Sequence, residues 1–90
     1  MRNQNAMGEL ACREHLLDGN RLTGLEASVL FGISLLSRLI SRMRKEGFVI
    51  KSQNCTYAAV VQRLNQHANL TPPPDLPIRE IYFTEYWVNK

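Results

Sequence analysis

No apolar run in the chain approaches the ~20 residues that a membrane-spanning helix needs. The polar start Met1-Arg2-Asn3-Gln4-Asn5 also lacks the apolar stretch of a signal peptide, so no membrane partner and a cytoplasmic protein are expected. Cysteine is scarce: Cys12 and Cys55 alone cannot make a disulfide framework, and a reducing compartment keeps both as thiols. There is no glycine-rich phosphate loop, and no local Ser/His/Asp or Cys/His grouping that would set a nucleophile beside its base. No enzyme, cofactor or small-molecule ligand is therefore expected. Cys12 and His15 lie three apart, and Cys55 with His67 would nominally complete a Cys₂His₂ set, but the second pair lacks the close spacing of a zinc knuckle. Cys12 reads instead as a small core residue and His15 as a surface or capping side chain, with no metal. Ninety residues make one domain with one small core, since a chain of this size buries only about 60–65% of its unfolded surface. Large multi-layer folds are excluded.

Acidic residues are also missing from one particular stretch. The net charge of +3 divides unevenly: Arg2, Arg13 and Arg21 face Glu9, Glu14, Asp18 and Glu26 in residues 1–33, and Arg63, Arg79 and Lys90 face Asp75, Glu80 and Glu85 in residues 53–90. Between them, Arg38, Arg42, Arg44, Lys45 and Lys51 face Glu46 alone, so residues 34–52 carry +4. Positive charge confined to one segment points to a localised anionic partner, most often nucleic acid.

The spacing of apolar residues predicts a helix over 6–18, stopped by Asp18-Gly19-Asn20. Thr23 and Glu26 have the spacing of a capping box, which starts a second helix over 24–31 before Gly32 supplies a tight turn. A third helix is expected over 34–46, with Ser34 as its N-cap and Gly47 as its stop. Its residues separate by period: Leu36, Leu39, Ile40 and Met43 form an apolar stripe, while Ser34, Arg38, Ser41, Arg42 and Lys45 fall on the other side. Phe48 to Ser52 reads as a strand. Residues 56–68 suit an inserted helix, although Tyr57, Val60 and Val61 would equally fit a strand. The prolines in 71–77 make a connector, and 78–88 reads as a strand pairing antiparallel with 48–52.

Helix, short helix, tight turn, basic amphipathic helix, strand, excursion, strand is the element order of an α+β winged helix-turn-helix. A single domain over 1–90 is expected, a three-helix core with a two-stranded antiparallel wing. The residues that carry this order, Leu22-Thr23-Gly24-Leu25-Glu26-Ala27, Phe31-Gly32-Ile33, Leu36 to Ile40 and Met43-Arg44-Lys45-Glu46-Gly47-Phe48-Val49-Ile50, resemble the small winged helix-turn-helix DNA-binding proteins of bacteriophages and prophages. The resemblance covers about residues 16–51. It implies a regulator of transcription, recombination or replication in a bacterial or phage-infected cell. Such proteins often carry Arg just before the third helix's Ile; here Leu39 stands there, with Arg38 and Arg42 on either side.

Arg38, Arg42 and Lys45 recur at i, i+4 and i+7, with Ser34, Ser37 and Ser41 interleaved. Arg offers a fork for guanine O6 and N7, and Ser can donate to phosphate or base, so these residues are expected to meet double-stranded DNA in its major groove and read its sequence. Arg44 and Lys51 are expected on the phosphate backbone. If about four of these cations neutralise phosphates, log K should fall against log salt with a slope of about −3.6. In the last strand, Ile81, Phe83 and Trp87 face one way and Tyr82, Tyr86 and Val88 the other, so both faces are apolar. One face should cover the core. The other needs either the inserted helix or a second copy, which makes Tyr82, Tyr86 and Trp87 candidate interface residues and a homodimer a candidate assembly. The alternative function is a protein-interaction module, or an inhibitor of a host protein, acting through this aromatic segment.

Overall fold

The computed structural model describes residues 4–89, with side chains from residue 7. The N-terminal residues 1–3 and Lys90, which entered the charge and leader readings, lie outside the described residues. Among the described residues the chain is α+β, with four helices and a three-stranded antiparallel sheet. In order these are α1 (Gln4–Leu17), β1 (Leu22–Thr23), α2 (Gly24–Phe31), α3 (Leu36–Lys45), β2 (Ile50–Thr56), α4 (Tyr57–Leu64) and β3 (Tyr82–Val88).

The sheet corrects the expected two-stranded wing. Leu22 and Thr23 pair with Tyr86 and Glu85, so β3 is the central strand, with β1 on one side and β2 on the other. Two residues ending on the N-cap of a capping box carry no periodicity, and only the distant partner strand makes them a strand. The capping box itself forms in both directions: Thr23 Oγ1 accepts from Glu26 N–H at 3.3 Å, and Glu26 Oε1 accepts from Thr23 N–H at 3.0 Å.

Strand boundaries move for a local reason. At the end of α3 the Phe48 N–H donates to the Met43 carbonyl and the Gly47 N–H to that of Arg44, with Gly47 at φ 105°. This paired closure satisfies the last helical carbonyls and holds Phe48 in the helix terminus, so β2 begins at Ile50 rather than at Phe48. β2 then runs to Thr56, past the expected end at Ser52, until the Thr56 hydroxyl caps α4 by accepting from Ala59 N–H at 3.2 Å. The proline-rich connector makes turns, and β3 starts at Tyr82 rather than at Ile78. Residues 56–68, open between helix and strand, are helical from Tyr57 to Leu64.

The pleat of β3 sorts its side chains. Tyr86 and Val88, with Leu22 and Ile50 beside them, face α1 and α3 and close one core with Cys12, Leu16, Ala27, Ile33, Leu36, Leu39, Ile40 and Met43. Phe83, Glu85 and Trp87 face the other way. That second face is covered from within the chain: the Tyr57 ring of α4 meets Phe83 edge-on at 5.3 Å, Arg63 of α4 reaches Glu85, and the Arg21 guanidinium lies 4.2 Å over the Trp87 ring. The reason for a second copy at this face falls away. Tyr86 and Trp87 are half-buried inside the fold, and of the three candidates Tyr82, 60% exposed, is the most open.

Candidate nucleic-acid interface

α3 is placed by its own apolar stripe. Leu36, Leu39, Ile40 and Met43 are all buried, which forces the remaining residues outward. Ahead of it, Gly32 at φ 68° ends α2, and Ile33 is pulled into the core. Those two constraints keep residues 34 and 35 in the turn, so α3 starts at Leu36; its N-cap is Leu35, with no side-chain cap, and not Ser34. The chain direction turns by 104° between α2 and α3 across the four residues 32–35.

The outward face collects Ser37, Arg38, Ser41, Arg42 and Lys45 on one open surface, joined at its start by Leu35. Ser34 lies beside it, in a hollow shared with Arg38, Arg42 and Glu9. A groove of about 250 Å³ opens at the N-terminal end of α3, where Ser34 and Ser37 face Gly24, Phe83, Thr84 and Tyr86. Thr84 and Gly24 had no signal in the sequence, since they reach the groove from β3 and from the start of α2.

The expected cations are not equivalent. Arg42 is held by Glu9 of α1, with Nη1–Oε1 at 2.7 Å and Nη2–Oε2 at 3.4 Å. Arg44 turns back into the fold, donating to the Ile50 carbonyl at 2.7 Å and lying 5.9 Å over the Tyr86 ring, and so is spent on the α3–β2 junction. Lys51 is opposite Trp87 in the ladder and shares its face, away from α3. Among the described residues, Arg38 and Lys45 have no acidic partner. Glu46, the lone acid of the segment, is engaged by Arg13, which also lies 5.5 Å over Phe48. The Glu9–Arg42 and Arg13–Glu46 pairs form an alternating lattice along the α1–α3 seam, and this linkage between helices was not readable from either helix alone.

A second charged cluster lies on the far side of the sheet. Glu26 and Glu85 are each 4% exposed, and Arg63 bridges them, reaching Glu26 Oε1 at 2.6 Å and Oε2 at 3.0 Å and Glu85 Oε1 at 2.7 Å. Arg21 at 3.0 Å and Gln53 complete the shell of Glu85. Burial pushes the Glu85 carboxyl up, but hydrogen bonds from Arg63, Gln53 and Arg21 outweigh it and hold the group down at about 2. Burial likewise disfavours the charge on Arg63, yet its two carboxylate partners raise its pKa above the usual value. Every carboxylate oxygen of this pair has a donor from the protein. These groups link α2, α4 and β3, and Glu26 and Arg63 also line a hollow with His15 and His67.

No protein-family model, curated protein or solved structure matches the chain. The chemistry of the site accordingly rests on its geometry. Burial, helped by Glu9, pushes the Cys12 thiol up to about 11, and burial also raises that of Cys55, so neither is ionised near neutrality. His15 is half-buried with its ring 5.4 Å from that of Phe31, and burial lowers its pKa. Among the described residues, no group of three or more His, Cys, Asp or Glu side chains is placed to hold a metal ion. Among the described residues, no single helix is long and apolar enough to cross a membrane.

Proposed function

We propose that the chain binds double-stranded DNA by laying α3 in the major groove, as a sequence-reading regulator of the winged helix-turn-helix kind. The observation that carries this reading is the 104° turn of α2 into α3 across four residues beginning with Gly32. Helix-turn-helix pairs cross at about 90–120° over a turn of 3–4 residues, which lets the first helix brace the second while the second enters the groove. The succession α1, β1, α2, α3, β2, β3 fits a winged helix, with α4 and the proline connector standing where a short wing loop would be.

The outer face of α3 supplies the matching chemistry. Arg38 can chelate a guanine edge, Lys45 a phosphate, and Ser37 and Ser41 can donate to either. With Arg44 committed to Ile50 and Arg42 to Glu9, two α3 cations stay uncommitted, so on non-specific duplex, where both Arg38 and Lys45 meet phosphates, a slope of log K against log salt of about −1.8 replaces the four-cation expectation. The C-terminal aromatics offer less to a protein partner, because Trp87 lies beneath Arg21 and Tyr86 packs against the core.

Selection from a random duplex pool, followed by a salt titration, tests the proposal. An enriched sequence and loss of its binding in Arg38→Ala are the expected results. A pool with no enrichment, or an Arg38→Ala, Lys45→Ala double variant of full affinity, overturns it.

A further inference from the structure

Arg42 sits in the middle of the basic stripe, one turn from both Arg38 and Lys45, yet it does not face solvent unaccompanied. Both of its terminal nitrogens point at the two oxygens of Glu9, in the fork-on-fork arrangement that an arginine also uses for the O6 and N7 of guanine or for two phosphate oxygens. The carboxylate therefore occupies the donors that DNA would need. The pair is at the rim, with side-chain exposures of 49% for Arg42 and 35% for Glu9, so it can open without disturbing the core. Glu9 also lines the hollow that holds Ser34 and Arg38, and so stands beside the reading surface itself.

From this geometry we infer that Glu9 is an affinity-setting residue, an internal phosphate mimic that competes with DNA for Arg42 and so weakens duplex binding. The inference rests on the DNA-binding reading and extends it to α1. A loosely docked phosphate offers Arg42 the same two acceptors that Glu9 already provides, and exchanging one for the other gains nothing. A base edge or phosphate fixed by the neighbouring Arg38 and Ser41 contacts gains more than the exposed pair loses, because exposed ion pairs are weak. The pair opens before Arg42 meets DNA, so Glu9 subtracts the free energy of the pair from the specific complex and at most that amount from a non-specific one. It acts through Arg42 as a positioning residue and contacts no base.

The test compares Glu9→Gln, Arg42→Ala and their combination in the full chain, on random duplex and on the selected duplex. Glu14→Gln removes the same charge from α1, at an exposed position that forms no ion pair among the described residues, and serves as the control. On random duplex, Glu9→Gln is expected to bind roughly twofold to fivefold tighter near ~0.1 M salt, with a salt slope steeper by about 0.9, the signature of one added phosphate contact. The gain on the selected duplex is at least as large, because there the wild-type protein breaks the whole Glu9–Arg42 pair to use Arg42. In the Arg42→Ala background the Glu9→Gln effect disappears. Binding by the wild-type protein with Glu9→Gln indistinguishable from Glu14→Gln in affinity and slope overturns this inference and leaves the DNA reading standing. Absence of duplex binding by every variant at ~50 mM salt overturns both.

Discussion

Glu26 shows how much one side chain can do here: its carboxylate closes the capping box at Thr23 and then receives Arg63 from a helix 37 residues later. Removing the hydroxyl in Thr23→Ala loses the N-cap of α2 and one donor to a buried carboxylate, and should cost about 1–2 kcal/mol in a denaturant titration. Arg63→Ala is more severe, since it leaves two buried carboxylates short of their shared cation; a loss of about 3–5 kcal/mol is expected. The acid limb follows from Glu85. Its carboxyl is held at about 2 in the folded chain against an ordinary 4.5, so its contribution is complete above the unfolded value and is lost as pH falls from about 4.5 towards 2. The denaturant midpoint should decline over that window, and Glu85→Gln should flatten the decline. Gly8 shows the opposite kind of sensitivity: a Cβ there would overlap the Phe31 carbonyl where α1 crosses the end of α2. Gly8→Ala should lower stability by roughly 1–3 kcal/mol, read as a fall in melting temperature.

Elements whose sides differ in polarity were legible because periodicity is a local property. The four apolar residues of α3 are all buried, and the Thr23–Glu26 box starts α2 where its spacing said it would. Leu39→Ala should cost about 2–5 kcal/mol, measured by denaturant unfolding, because the stripe is packed and cannot collapse cheaply. The ends were less legible. Ser34 has the chemistry of an N-cap, but the burial of Ile33 keeps it in the turn, and Phe48 has strand propensity but is claimed by the end of α3. In each case a bond or burial between neighbouring elements overrode the residue's own preference. β1 was invisible for the same reason, being two residues made into a strand by β3.

At the scale of the whole molecule, β3 is the central strand and is covered on both faces, by the α1–α3 core and by α4 with Arg21. Trp87→Ala should therefore destabilise the chain to the same extent at every protein concentration, where an interface residue would give a concentration-dependent melting temperature. The sequence by itself determined the alternation of helix and strand, the inward stripe of α3 and the confinement of excess positive charge to residues 34–52, because each depends on residue type and near spacing. Tertiary structure decided which of those charges remain available. Glu9 and Arg42 are 33 residues apart, as are Arg13 and Glu46, and nothing in either helix alone says that they meet. Ion pairing acts through space, and the spacing that matters is set only when α1 packs across α3.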